Sequence, residues 1–264
     1  LARVVARTPD SLSDRQRRCQ PAPRPHSPPP TPARLSSPPS LGRPRSARSR
    51  LSPAGTKMSS IMQYNGAAII AMAGKDCIAI ASDKRYGIRN QTMGCQMKKI
   101  FQVGDKTFVG LTGLATDMQT LDQKFRFRSN MYRLREEREM STEAFANMVT
   151  SLLYEHRFGP YFCEPIVAGL GGEDGKSPFL CGMDLLGAQV RTEDFMVGGD
   201  CTEALYGLCE SMYRPDLGPD ELFEVIAQCL LSGVDRDCLA GWGCVVHVLT
   251  PEGVTTRDLK GRMD

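Results

Sequence analysis

No Cys-x-x-Cys pair occurs in this sequence despite its ten cysteines, which removes a zinc ribbon and a thioredoxin-type redox motif from consideration. No apolar run approaches the roughly 18 residues that a membrane-spanning helix needs. Histidine is scarce: of three in the chain, His156 and His247 fall in the apolar-patterned part, neither with an acidic neighbour at ligand spacing. A serine–histidine–acid triad or a metal centre needs converging partners, so both histidines read as structural. No internal repeat and no secretory-signal pattern is found.

Acid is nearly missing from residues 1–57. That stretch holds 12 of the 18 prolines and 12 Lys/Arg against only Asp10 and Asp14, so it carries +10 while the remainder carries −7. Runs such as RPHSPPPTPARLSSPPS and GRPRSARSR have few apolar residues and no period of 2 or 3.6, and cannot bury enough surface to offset the entropy of ordering. Disorder is expected over 1–57. An organelle transit peptide would need an amphipathic helix, which the prolines forbid. A basic arm for nucleic acid is the other reading of that charge. The chain begins with Leu1, Met58 is the first methionine, and apolar patterning starts just after it, so 1–57 is expected to lie outside the native protein and 58–264 to form one domain. The nine cysteines of that domain, scattered through apolar runs, read as reduced, buried thiols of a cytosolic or nuclear protein.

What is present is a regular succession of elements. Alternation and β-branched content predict strands at 67–72, 77–82, 100–103, 107–111, 166–169, 179–184, 189–191, 195–197, 244–249 and 254–258, with turns at Gly74, Gly104 and Gly253. Met118, Leu121, Phe125 and Tyr132 follow a helical stripe; Phe145, Met148, Val149, Leu152 and Leu153 follow another behind a Ser141 cap. A second helix pair carries Leu205, Leu208, Cys209 and Met212, then Leu222, Phe223, Ile226, Cys229 and Leu230, separated by Pro215 and Pro219. The order strands, two helices, strands, two helices, strands predicts a mixed α/β (α+β) chain: a four-layer αββα sandwich of two stacked antiparallel sheets, each covered by a helix pair. Strands buried on both faces should be apolar on both, as CIAIAS nearly is.

Two motifs have plainer explanations. GGEDGKS ends like a phosphate-binding loop, but Leu170 stands where that motif wants glycine and Pro178 leads into a strand-like FLCGM, so it reads as a surface turn. Arg126, Arg128, Arg133 and Arg135 are followed by Glu136, Glu137 and Glu139, which makes a solvated, salt-bridged helix face rather than a nucleic-acid surface. There remain polar residues at strand ends: Asp83 with Arg85, Lys99, and Asp237.

Around those residues the segments IAIASDKRYG, MKKIF, GLTGLATDMQTL and DRDCLAGWG, in that order, resemble the proteasome beta-subunit family of N-terminal nucleophile hydrolases. LLYEHRFGPYFCEPIVAGL, GPDELFEVI and TTRDLKGRMD are similar to its type-3 branch, and the resemblance runs from about Met58 to Asp264. In active members, self-cleavage after a glycine exposes an N-terminal threonine whose hydroxyl attacks and whose amine serves as base. Carried over, the resemblance implies Asp83 and Lys99 as the aspartate–lysine pair, Gly113 as the oxyanion donor and Asp237 as the second aspartate. The serine's place is taken by Ala240. The threonine's place, sixteen residues before Asp83, is Ala67, preceded by the matching Gly66.

Without a hydroxyl the N-to-O acyl shift has no route, so Gly66–Ala67 is expected to stay uncut, with Asp83 and Lys99 persisting as a buried ion pair. Thr56 follows Gly55 but lies 27 residues before Asp83, eleven too many, and Ser59 and Ser60 also fail on spacing. The resemblance therefore implies a non-catalytic subunit. Its expected partners are other beta subunits in a seven-membered ring, alpha-ring subunits, the opposing beta ring and assembly chaperones, around a chamber that degrades unfolded, ubiquitin-tagged protein. No cofactor, metal, nucleic acid or membrane is implied, and the compartments would be cytoplasm and nucleus. Two alternatives stand beside it: an active threonine-type endopeptidase, which requires an N-terminal threonine, and a free-standing protein using its basic tail on nucleic acid.

Overall fold

The computed structural model describes residues 60–172 and 175–263. The expected disorder of 1–57, and the centre of the GGEDGKS turn, lie outside the described residues. The elements run β1 Ala68–Gly74, β2 Cys77–Asp83, β3 Tyr86–Ile88, β4 Gln91–Gly94, β5 Ile100–Gly104 and β6 Thr107–Gly113, then α1 Ala115–Glu136 and α2 Thr142–Glu155. They continue with β7 Cys163–Gly171, β8 Ser177–Met183, β9 Gln189–Thr192, β10 Phe195–Gly199, α3 Thr202–Met212, α4 Pro219–Val234, β11 Cys244–Thr250 and β12 Gly253–Leu259.

Two five-stranded antiparallel sheets form, in the orders β10-β1-β2-β11-β12 and β5-β6-β7-β8-β9. Successive side chains of a strand point to opposite faces, and β1 and β2 use both. Ile69, Ala71, Ile78 and Ile80 meet Ile100, Phe108, Ile166 and Leu180 of the second sheet. The alternate set, Ala68, Ile70, Met72, Ala79 and Ala81, packs on Leu205 of α3 and Leu222, Ile226 and Leu230 of α4. On the far side, Val109, Leu111, Val167 and Cys181 pack on Met118, Leu121 and Phe125 of α1 and Phe145, Val149 and Leu152 of α2. The four layers are thus helix pair, sheet, sheet, helix pair. Each isoleucine fully buried here contributes about 1.5–3 kcal/mol, which is why the two-faced apolar pattern fixes the layering.

The helix boundaries follow their local signals. Ser141 Oγ accepts from the Ala144 amide at 3.3 Å, and Pro219 occupies the first turn of α4. The α1 stripe is buried as far as Phe125, but Tyr132 is only half-buried and Phe127 and Leu134 are exposed. Strands depart from expectation mostly at their ends, because ladder pairing carries them past the apolar run: β7 begins at Cys163, paired with Gly113. The β3–β4 hairpin is an addition that no apolar alternation announces. Pro178 lies inside β8, so the GKS stretch leads into a strand. Arg126–Asp122, Arg128–Glu155 and Arg133–Glu139 are exposed ion pairs. His156 caps α2, and His247 in β11 stacks on Phe108 with centroids 5.4 Å apart. The nine described cysteines are free, and seven are buried; Cys95 is partly exposed and Cys238 exposed.

Candidate functional site

Asp83 is the last residue of β2 in one sheet, and Lys99 immediately precedes β5 in the other, so the stacking of the sheets brings them together. Lys99 Nζ lies 2.7 and 2.8 Å from the two carboxylate oxygens of Asp83. Its remaining donor reaches the Gly66 carbonyl at 3.0 Å. The carboxylate also accepts from the amides of Ala68 at 2.9 Å, Arg85 at 3.2 Å and Gly241 at 3.3 Å. Both side chains are buried. A buried ion pair is tolerable only when its remaining donors and acceptors are satisfied, and this one is saturated.

Arg85 is fully buried as well. Its guanidinium donates to Thr92 Oγ1 at 3.0 Å, to the Arg89 carbonyl at 3.0 Å and to the Leu239 carbonyl at 3.1 Å. It thereby fastens the β3–β4 hairpin to the loop after α4, and sequence alone showed only a charge at a strand end.

Ala67 sits one residue before β1 and is buried. Its amide donates to Asp200 Oδ2 at 3.0 Å, and its carbonyl accepts from the Asp200 amide at 2.9 Å. Burial pushes the Asp200 carboxyl up to about 6, against the opposing effect of the Ala67 amide. Sequence reasoning missed Asp200; the only local signal is the Gly-Gly-Asp that ends β10, whose meaning depends on the pairing of Gly199 with Ala68. Gly66 has φ +74°, and a Cβ there would clash with the Leu239 carbonyl oxygen. The chain before it is stitched in: Asn65 donates to the Gly87 carbonyl at 2.9 Å and accepts from the Ala115 amide at 2.9 Å.

The remaining expected residues divide between two cavities. Gly113, Gly199, Asp200 and Met62 line one of about 200 Å³, while Asp237 and Ala240 line a separate one of about 20 Å³. Asp237 accepts from the Leu239 amide at 3.1 Å through one oxygen, and its other oxygen is buried without a hydrogen-bond partner among the described residues. It makes no hydrogen bond to the Asp83–Lys99 pair among the described residues, although its charge helps to raise Asp200.

Position 67, where the resemblance implies a nucleophile, offers none in its own side chain. The Ala67 side chain is a methyl group and its nitrogen is a hydrogen-bonded amide. Neighbouring thiols do not substitute: burial first, then nearby aspartates, push Cys201 and Cys244 up to about 12, where they are un-ionised at neutral pH. Ser82 pairs across from Ile69 and so shares its face, toward the inter-sheet core.

A family model described as "Proteasome subunit" matches residues 63–249. Among similar curated proteins, the proteasome subunit beta type-3 of Picea mariana is 58% identical over 205 residues, 78% of this chain and the whole of that protein. Subunits of the same description from Dictyostelium discoideum and Drosophila melanogaster are 55% and 51% identical over the same shares of each chain. A family match over more than half of the chain, joined to full-length relatives sharing more than half of their aligned residues, shows that this chain belongs to the proteasome subunit family.

Proposed function

We propose that this chain is a non-catalytic, structural beta-ring subunit of the 20S proteasome core, helping to enclose the chamber in which unfolded, ubiquitin-tagged proteins are degraded. The observation that carries the proposal is the state of Ala67: a methyl group where the family's mechanism needs a hydroxyl, with the preceding Gly66 carbonyl tied to Lys99 at 3.0 Å. In an active subunit that carbonyl is the one attacked during self-cleavage. Among the described residues nothing beside it is placed to attack, and the lysine that would support a nucleophile has its three donors engaged. Asp83 and Lys99 then act as structure, joining the two sheets at the start of β1. Gly113, Asp237 and Ala240 mark the remainder of the vestigial site.

As partners we assign other beta subunits of a seven-membered ring, an alpha ring on one side, the opposing beta ring on the other, and assembly chaperones. The free, mostly buried thiols fit a reducing compartment, and we assign cytoplasm and nucleus. The alternative, a threonine-type endopeptidase, requires a new N-terminus at a threonine. Size exclusion of a native lysate, detecting this chain, is expected to place it in a particle of several hundred kilodaltons. N-terminal sequencing from that particle should find Gly66–Ala67 uncut, and a probe selective for N-terminal threonine should leave the chain unlabelled. Labelled chain beginning at a threonine would overturn the proposal. Ala67→Thr is expected not to give full activity while Ala240 stands.

A further inference from the structure

Away from the Ala67 site, a groove of about 660 Å³ opens between Met97, Lys98 and Ile100 at the start of β5 and the β11–β12 edge. Its lining includes Val245 and Trp242, the only tryptophan of the chain, while Lys84, Lys98 and Lys260 stand around it with a single carboxylate among the described residues, Asp258. Asp258 is already ion-paired with Lys84. Lys98 and Lys260 form no ion pair among the described residues, so the groove is apolar below and positive above. His247, which also lines it, is held below the usual imidazole range chiefly by burial and then by Lys98, against the opposing effect of Asp258.

The adjoining strand is open as well. Among the described residues β12 pairs only with β11, and it is exposed from Gly253 to Asp258. Its Val-Thr-Thr run is rich in β-branched residues, which suit a pleated surface. Exposed edges are normally blunted by charges that stand out from the strand. Here both charges of β12 are engaged within the chain, though still exposed: Arg257 lies 4.4 Å over the Phe223 ring and 3.1 Å from Asp220, and Asp258 is ion-paired with Lys84. That leaves the main-chain groups of the outer edge able to pair with another chain.

We propose that this groove is a docking site for an extended, acidic segment of another protein chain, which adds to the first sheet as a strand along β12 and places its carboxylates against Lys98 and Lys260. Main-chain pairing supplies affinity in such strand addition, and side-chain pockets and charge supply the choice of partner. The site is independent of the ring assignment, because it needs only the folded chain.

Trp242 provides the readout. Purified full-length chain is titrated with a synthetic strand-forming peptide alternating valine with glutamate, and with its lysine counterpart, while tryptophan emission is followed. The glutamate peptide is expected to shift the emission saturably, with binding that weakens as salt is added, and the lysine peptide to leave it unchanged. Lys98→Glu combined with Lys260→Glu changes two exposed side chains and should keep the circular dichroism spectrum. It is expected to weaken the glutamate peptide about tenfold or more. Two N-methylated versions, blocked at odd or at even positions, separate strand addition from simple charge attraction: one register should bind and the other should not. Equal binding of glutamate and lysine peptides, or no emission change with either, would overturn the docking site; equal binding of both N-methylated versions would overturn the strand addition. If the chain binds the peptide yet is absent from the large particle, only the ring assignment fails.

Discussion

The Asp83–Lys99 pair and the Arg128–Glu155 pair join the same kinds of charge at almost the same separation, 2.7 Å against 2.9 Å, and differ in nearly every physical consequence. The first is buried between two sheets, with its donors and acceptors matched to backbone groups of Gly66, Ala68, Arg85 and Gly241. The second spans α1 and α2 in solvent, with side chains 36% and 54% exposed. Distance is therefore not what makes an ion pair structural. In water a surface pair gains little, since solvent already stabilises each charge; inside the molecule the loss of one partner strands the other.

The largest expected effect tests the buried member. Lys99→Ala leaves the Asp83 carboxylate without its cation, and denaturant unfolding of the purified chain should show a loss of about 3–5 kcal/mol. A loss below about 1 kcal/mol would erase the distinction between the two regions. Next comes the backbone beside the pair. Gly66→Ala puts a side chain on a residue at φ +74° and against the Leu239 carbonyl, and the same assay should record about 2–3 kcal/mol. It should also disturb Lys99, whose third donor uses the Gly66 carbonyl.

A smaller effect concerns Asp200, whose carboxyl is raised to about 6 chiefly by burial. The native state binds this proton more tightly than the unfolded chain does, so its contribution is full below the ordinary aspartate range and is lost as pH rises through about 6. Asp200→Asn, which keeps an oxygen for the Ala67 amide, should remove that decline between about pH 4 and 6, an effect of about 1 kcal/mol after allowance for partial solvent screening. Unchanged pH dependence of the melting temperature would show that Asp200 is not desolvated. The smallest change is at the surface: Arg128→Ala should alter stability by less than about 0.5 kcal/mol.

The two regions were also unequally legible in the sequence. A salt-bridged surface could be anticipated because the α1 arginines have acids close by, but only Arg126–Asp122 uses the four-residue spacing of one helix; Arg128 reaches Glu155 on α2 and Arg133 reaches Glu139 beyond the end of α1. Asp83 and Lys99 were paired only through a family resemblance, since nothing local links residues sixteen apart that end in different sheets. Arg85 was visible as a charge, but its burial depends on the β3–β4 hairpin, which has no alternating apolar signal. Asp200 was not visible at all, because its role arises from β10 lying beside β1. The Ser141 cap needed no such context, being a local hydrogen-bonding effect, whereas Pro219, read as a breaker between the helices, is the first residue of α4, where its fixed φ suits a helix start.

By itself the sequence determined the layered class of the fold, because apolar residues on both faces of β1 and β2 and on one stripe of each helix can be buried together only between and beneath covering layers. It also determined that position 67 lacks a hydroxyl, which is a matter of composition. Only the tertiary structure decided which charges are buried, which amides satisfy them, and which strand edge is left open, because these depend on segments far apart in the chain that meet only when the two sheets stack.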